Sequence, residues 1–325
     1  MGELRDAPIA LAAQPRMQAI RITAFGGIER MEYAAIERPA PGPGQVLVRV
    51  AAAGVGPWDA WVREGRSVLP QPLPLVPGAD ISGVVAQAGP DVRGFTAGMA
   101  VFGATNARFT GGYAEYALAD ATMLAGKPAR LSHCQAAALP VVASTARQAL
   151  FDEARVAAGQ RVLVLGAGGN VGAHVLQLGH AIGAEMIALG RPGQQERLRG
   201  LGAATVLDAE ADWPVRMRAS CDAVIDALGG DAQRRAFPTL RAGGHLISIV
   251  GEPDAALAAQ HGVAARFMLV SVTTAGLVLL GELAEAGRLR APLGEVMALR
   301  DARRAHAMLA GAAHRPGKIV LTVGA

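Results

Sequence analysis

The chain has 325 residues, of which 51% are hydrophobic and 18% are charged, and its formal net charge is +4. This length allows two domains, and the composition is that of a folded globular protein, which excludes an intrinsically disordered chain. The arginines are scattered along the chain and aromatic residues are few, so we expect no nucleic-acid partner.

The chain contains two cysteines, Cys134 and Cys221, which are too few for a disulfide framework or a four-thiolate zinc site. No apolar run reaches the roughly 20 residues that span a bilayer. The first residues lack the basic and apolar regions of a signal peptide. We therefore predict a cytoplasmic protein with no membrane partner and an irregular tail over residues 1–16.

The first folded region extends from Met17 to about Pro140 and contains short apolar runs that Gly and Pro interrupt. Within it, apolar side chains alternate from Val46 to Val50, which is the period of a half-buried strand. This pattern predicts a compact, mostly antiparallel β-domain.

The second region, from about Ala143 to Val270, alternates strands with helices. Val162–Leu165 is a continuous apolar run, as a strand buried on both faces requires. Apolar residues at helical spacing follow it, and further strands are predicted up to a sixth at Phe267–Val270. Together these elements predict an α/β fold with a Rossmann doubly wound parallel sheet.

The C-terminal region contains two predicted helices, about Ala275–Ala286 and Arg300–Ala310, and a strand at Ile319–Val323. We expect this region to pack back onto the first domain and to leave a cleft between the two domains.

A glycine-rich segment follows the first strand of the second region and precedes a helix. It consists of Gly166, Ala167, Gly168, Gly169, Asn170, Val171 and Gly172. Gly169 would let the backbone approach a pyrophosphate, and Gly172 would let the helix pack close to the strand. The helix N-terminus would offer N–H groups to the phosphates. This context indicates a dinucleotide-binding loop, and the alternative is a purely structural turn.

The end of the next strand distinguishes NAD from NADP. Enzymes that use NAD place a carboxylate there, whereas this chain has Gly190 and Arg191. A guanidinium at this position can pair with a 2′-phosphate, so we predict NADPH as the cofactor. The alternative is that Arg191 is a solvated turn residue.

Several further motifs extend over most of the chain. They are Gly54-Val55-Gly56-Pro57-Trp58-Asp59, Pro77-Gly78-Ala79-Asp80-Ile81-Ser82-Gly83, Gly111-Gly112-Tyr113-Ala114-Glu115-Tyr116, Ala136-Ala137-Ala138-Leu139-Pro140, Leu240-Arg241-Ala242-Gly243-Gly244 and Gly317-Lys318-Ile319-Val320-Leu321. From Met17 to the end, the chain resembles the medium-chain dehydrogenase/reductase superfamily, in its zinc-free quinone oxidoreductase branch (the zeta-crystallin-like enzymes).

The resemblance implies a domain organisation. A GroES-like, mostly antiparallel β catalytic domain would comprise residues 17–142 and 271–325. A Rossmann NADP-binding domain would comprise residues 143–270, and its sheet edge would form a homodimer.

The resemblance also implies roles for single residues. Thr145 would contact the nicotinamide, and Asp59 would lie beneath the active site. The residues that would line or close over the cofactor are Leu228, Val250, Gly251, Phe267 and Leu269.

The chain also departs from the family at positions that matter for chemistry. Gly56 replaces a frequent Asn, and Trp61 replaces a frequent Tyr. Arg147 replaces an aromatic residue and can face either the cofactor or solvent. Trp58 and Trp61 are predicted to wall an apolar pocket, with plain β-domain core as the alternative.

A further departure concerns metals. Gly56 and Ala79 stand where zinc-dependent relatives have a Cys and a His, so we predict no metal site.

The sequence therefore predicts a zinc-independent, NADPH-dependent reductase of a quinone or an α,β-unsaturated carbonyl. Trp58, Asp59, Trp61 and Thr145 are the candidate active-site residues. Two alternatives remain open: a metal-free alcohol dehydrogenase, and a non-catalytic NADPH-binding protein with a structural or redox-sensing role.

Overall fold

The computed structural model describes residues 15–324. Residues 1–14 of the predicted tail lie outside this range. The strands are β1 (Arg16–Ile22), β2 (Met31–Glu37), β3 (Gln45–Val55), β4 (Asp80–Ala88), β5 (Ala100–Ala104), β6 (Tyr116–Asp120), β7 (Leu124–Gly126), β8 (Arg161–Leu165), β9 (Glu185–Gly190), β10 (Thr205–Asp208), β11 (Cys221–Asp226), β12 (Leu240–Ser248), β13 (Ala264–Phe267), β14 (Leu293–Ala298) and β15 (Lys318–Thr322).

The α-helices are α1 (Pro57–Arg63), α2 (His133–Ala137), α3 (Pro140–Arg147), α4 (Asn170–Ala181), α5 (Gln195–Gly200), α6 (Trp213–Arg216), α7 (Gly230–Ala236), α8 (Ala255–His261), α9 (Thr274–Glu285) and α10 (Ala302–Leu309). A π-helix, Gln148–Glu153, continues directly from α3. None of the helices within residues 15–324 is both long and apolar enough to cross a membrane.

Strands β8 to β13 form a six-stranded sheet in the order β10-β9-β8-β11-β12-β13, and all of its pairs are parallel. The apolar run Val162–Leu165 is fully buried in the middle of this sheet. The predicted doubly wound α/β fold is therefore confirmed.

The sixth strand of this sheet lies earlier in the sequence than predicted. It is Ala264–Phe267, so Phe267 ends the strand instead of starting it. The strand is at the sheet edge, and its side chains alternate between exposed and half-buried. It therefore lacks the continuous apolar run by which the central strands were recognised.

The other large sheet has seven strands, in the order β14-β15-β3-β4-β5-β7 with β6 also paired to β3. Its pairs are antiparallel apart from β14 with β15. Strand β15 pairs with β3, so the C-terminal strand belongs to the same sheet as strands of the first folded region. Strands β1 and β2 form a separate antiparallel sheet, and its Ile20 N–H donates a hydrogen bond of 2.9 Å to the Tyr113 carbonyl in the segment before β6.

Candidate cofactor and active site

The glycine-rich segment has the geometry of a dinucleotide-binding loop. Strand β8 ends at Leu165, Gly166 adopts a φ of +76°, and Gly169 is the residue that precedes α4. A Cβ atom built on Gly169 would meet only the Gly166 carbonyl, at 3.3 Å. The loop therefore leaves its backbone open to a ligand at the start of a 12-residue helix.

A pocket of about 290 Å³ lies at this end of the parallel sheet. Its lining is Gly166, Gly168, Gly169, Leu189, Gly190, Arg191, Gln194, Ala209 and Leu228. Five of these residues, Gly168, Gly169, Gly190, Arg191 and Leu228, are among those predicted to bind the cofactor. Among residues 15–324 no carboxylate lines the pocket and Arg191 does, so the lining fits a phosphate-bearing nucleotide.

Two polar side chains beside this pocket were missed from the sequence. Arg197 donates a hydrogen bond of 3.1 Å from Nη1 to the Gly168 carbonyl. The Gln194 side chain accepts one of 3.0 Å from the Arg191 N–H. Partial burial lowers the pKa of Arg197 below its ordinary value. Gln194 and Arg197 are three residues apart at the start of the helix that follows Arg191, so they lie on the same face of that helix. This spacing was the sequence signal that could have placed both near the pocket.

Leu228 and Val250 follow the ends of two neighbouring strands, β11 and β12. Their exposed fractions are 53% and 36%, which is high for large apolar residues. The Val250 side chain lies 3.1 Å from where a Cβ on Gly229 would be, so the two loops are in contact. Gly251 belongs to the second loop and donates its N–H to Ser248 Oγ at 3.4 Å.

Phe267 is the last residue of β13 and Leu269 lies two residues beyond it, and neither is among the residues that line the pocket. Phe267 is half-buried, and Leu269 is 44% exposed. Ser271 follows them, and the Gln148 side chain forms hydrogen bonds with both its N–H and its carbonyl. Gln148 Oε1 accepts from the Ser271 N–H at 3.0 Å, and Gln148 Nε2 donates to the Ser271 carbonyl. The π-helix thus fixes the segment that carries Leu269.

Trp58 and Trp61 lie on α1 and form an aromatic group with Phe109. The ring centroids of Trp58 and Trp61 are 6.3 Å apart, and those of Trp58 and Phe109 are 5.7 Å apart, both edge-on. Trp58 packs against the two main apolar cores. Both tryptophans are only partly buried, so each keeps an accessible surface.

Asp59 is buried beneath this group. Its Oδ2 accepts hydrogen bonds from the Gly56 N–H, at 2.8 Å, and from the Tyr113 hydroxyl, at 2.9 Å. Burial raises the pKa of Asp59 from its usual 3.8 to about 6, although these hydrogen bonds and the charge of Lys318 oppose the rise. The pKa of Tyr113 is raised well above its ordinary value, first by burial and then by Asp59.

A buried ion pair joins the seven-stranded sheet to α3. Lys318 donates to Asp80 Oδ2 at 2.7 Å, and Asp80 Oδ1 accepts from the Val141 N–H, also at 2.7 Å. Thr145 is 6% exposed and its hydroxyl donates to the Val141 carbonyl at 2.7 Å. A Cβ on Gly56 would lie 3.4 Å from Lys318 Nζ.

The residues present do not fit a zinc site. Gly56 and Ala79 carry no ligand atoms, and residues 15–324 contain no group of three or more His, Cys, Asp or Glu side chains that could hold a metal ion. Arg147, another departure from the family, makes a two-point pair with Asp152 at 3.1 and 2.6 Å. Its guanidinium is thereby committed to a neighbouring side chain.

The parallel sheet, the glycine loop and the pocket at its edge are the features of a protein that binds a dinucleotide. Residues 42–129 match the family described as alcohol dehydrogenase GroES-like domain, and residues 201–321 match the one described as zinc-binding dehydrogenase.

Two quinone oxidoreductases resemble nearly the whole chain, and a further reductase resembles about three quarters of it. A quinone oxidoreductase of Rattus norvegicus is 31% identical, over 95% of this chain and 98% of that protein. The structure of the quinone oxidoreductase from Coxiella burnetii is 30% identical with a TM-score of 0.88, and the match covers 95% of this chain and 100% of that one. A 2-methylene-furan-3-one reductase of Solanum lycopersicum is 31% identical over 74% of this chain and 64% of that protein. The chain belongs to the medium-chain dehydrogenase/reductase superfamily, among the quinone oxidoreductases.

Proposed function

We propose that this protein is a cytoplasmic, zinc-independent, NADPH-dependent reductase of quinones or α,β-unsaturated carbonyls. The observation that carries the proposal is the pocket at the ends of β8 and β9, where Arg191 lines a space free of carboxylates and Arg197 lies beside it. We further propose that the protein is a homodimer that pairs through the edge strand β13, as the family resemblance implies.

The chain's own residues would bind and orient both reactants. A bound reduced nicotinamide would supply the hydride. Thr145 would orient the nicotinamide, and the accessible faces of Trp58 and Trp61 would hold a planar acceptor, with Asp59 supporting α1 from below. The aromatic group would also keep water away from the hydride path.

The proposed acceptor is chosen on the chemistry that alcohol oxidation would require. Oxidising an alcohol requires a base or metal that takes the hydroxyl proton. Asp59 Oδ2 accepts from the Gly56 N–H and the Tyr113 hydroxyl, and residues 15–324 contain no group of three or more side chains that could hold zinc. A quinone or enone needs no such base, because its oxygen becomes negative only after the hydride arrives and water can then protonate the product. The names of the rat and tomato relatives support this choice.

A panel of acceptors tests the function. With NADPH, we expect turnover of 1,4-benzoquinone, 9,10-phenanthrenequinone and a simple enone, and with NADP⁺ we expect little oxidation of primary or secondary alcohols. Good turnover of alcohols with inert quinones and enones would favour the alcohol dehydrogenase alternative. Tight NADPH binding without turnover of any substrate would favour the non-catalytic one.

The arginine beside Gly190 is expected to set the cofactor preference. Arg191→Ala should weaken NADPH binding by roughly tenfold or more, because a charge-assisted contact to the 2′-phosphate contributes about 1.5–3 kcal/mol. NADH binding should stay nearly unchanged. Titration of protein fluorescence with each cofactor measures both affinities.

Two further arginines serve as controls for this result. Arg197→Ala should weaken both cofactors, because Arg197 also holds the Gly168 carbonyl of the loop. Arg199→Ala, an exposed change on the same helix, should weaken neither. Equal losses of NADPH and NADH in Arg191→Ala would assign the residue a structural role.

A further inference from the structure

The structure assigns to Asp226 the role of a positioning residue that fixes both apolar loops beneath the cofactor. This inference rests on the proposed function, since it concerns how the same site holds NADPH. Asp226 is the last residue of β11 and is 0% exposed. It was not recognised from the sequence, where it is one more residue at the end of an apolar run.

Asp226 accepts four hydrogen bonds from four different residues. Its Oδ1 accepts from the N–H groups of Leu228 and Gly229, each at 2.9 Å. Its Oδ2 accepts from Gln233 Nε2 at 2.8 Å and from the Ser248 hydroxyl at 3.0 Å. The two oxygens of a carboxylate accept from all four donors, whereas an amide would offer only one accepting oxygen.

Ser248 extends this arrangement to the second loop. Its Oγ accepts from the N–H groups of Val250 and Gly251, each at 3.4 Å. One carboxylate therefore holds the 228–229 loop directly and the 250–251 loop through a single hydroxyl. Both loops carry an exposed apolar side chain, Leu228 or Val250.

The register of the sheet places this arrangement beside the glycine loop. Asp226 is paired with Leu165 on one side and with Ser248 on the other. Leu165 is the last residue before the glycine loop, and Leu228 Cδ2 lies 3.3 Å from where a Cβ on Gly166 would be. Strands β8, β11 and β12 therefore end side by side at the same edge of the sheet, which is the edge where doubly wound sheets bind their ligands.

No counter-charge accompanies this buried carboxylate. Among the described residues Asp226 forms no ion pair, and all four of its partners are neutral donors. A buried charge without a partner of opposite charge is costly, and its hydrogen bonds offset that cost only while all of them are formed. The loops are therefore held in one arrangement before NADPH arrives, which reduces the ordering that binding requires.

Asp226→Asn tests the role, because it keeps the side-chain size but turns an amide NH₂ toward two donors. We expect NADPH affinity to fall at least tenfold, measured by fluorescence titration. Ser248→Ala cuts only the connection to the 250–251 loop. It should weaken NADPH about threefold but leave the affinity for 2′,5′-ADP, which lacks the nicotinamide half, unchanged. The double variant should lose less than the product of the two single losses, because both act through one network.

Asp222→Asn is the matched control for a merely structural effect. Asp222 lies on the same strand, at its opposite end, and also accepts a backbone N–H, from Arg161 at 2.6 Å. It should lower resistance to urea without changing NADPH affinity. The inference is overturned if Asp226→Asn binds NADPH as the parent does, or if Asp222→Asn loses as much affinity.

Ser248→Ala tests the role of Asp226 even if Asp226→Asn fails to fold. An unchanged NADPH affinity in Ser248→Ala would overturn the inference. These measurements are of binding and not of turnover, so a parent protein that binds NADPH but reduces no acceptor would refute the proposed function alone.

Discussion

Replacing Gly172 by alanine is expected to lower the free energy of unfolding by about 3 kcal/mol, at the upper end of what overpacking costs. A Cβ at this position would lie 2.7 Å from Ala167 Cα and 2.9 Å from the Gly166 carbonyl carbon, and it would also clash with the Gly166 oxygen. All three atoms belong to the backbone, so no side chain can rotate to make room. Helix α4 would have to move away from β8, and urea-induced unfolding measures the cost.

The same displacement should weaken cofactor binding, because the N-terminus of α4 and the glycine loop would separate. Gly200→Ala is the control, since a Cβ on this last residue of α5 meets no atom within 4 Å. It should be neutral or slightly stabilising, as alanine favours a helix more than glycine does. A Gly172→Ala protein as stable as the parent would show that the Gly166–Ala167 backbone can move aside at little cost, which would contradict the close packing of α4 against the loop.

The sequence was sufficient to predict those parts of the fold in which apolar residues form a continuous run or recur at helical spacing. The buried run of β8, the glycine segment and the helical spacing in α4 together specify a strand, a loop and a helix. Packing between successive elements dictates these patterns, so they are visible in a single sequence. Edge strand β13 has only four residues, none of them fully buried, so it offers neither a continuous apolar run nor an alternation long enough to be recognised.

The candidate site was less accessible to sequence reasoning. Five cofactor residues predicted from the glycine loop, the end of β9 and the family resemblance line one pocket. Arg197 and Asp226 were missed because their roles depend on hydrogen bonds to Gly168 and Ser248, which lie 29 and 22 residues away. A carboxylate that orders a loop has the same local sequence as one that faces solvent. Only the three-dimensional contacts distinguish them.

The stability of the protein is expected to depend on the protonation of Asp59. Its pKa is about 6 in the folded protein against a usual 3.8, mainly because the carboxyl is buried. The folded state therefore binds more protons between these two values, and this group's contribution to stability falls as the pH rises through that window. At about 1.4 kcal/mol per pKa unit, the ionised carboxylate destabilises the fold by about 3 kcal/mol above pH 7.

Asp59→Asn should remove this dependence, because an amide of the same shape stays neutral. In urea-induced unfolding, the variant should match the parent near pH 4 and exceed it by up to about 3 kcal/mol at pH 8. Taking the difference between the two proteins at each pH cancels every other titrating group. An Asn variant that is less stable than the parent by the same amount at both pH values would contradict the assignment.

Tyr113→Phe is a second variant, and it should raise the pKa of Asp59 in the folded protein. The Tyr113 hydroxyl donates to Asp59 Oδ2 at 2.9 Å and thereby lowers the pKa of the carboxyl. Without this hydroxyl the pKa of Asp59 in the folded protein should rise further, so the window in which stability falls should extend to higher pH at its upper end. A structural loss at Tyr113 that did not involve Asp59 would lower stability equally at every pH, so the extension of the window identifies the pair.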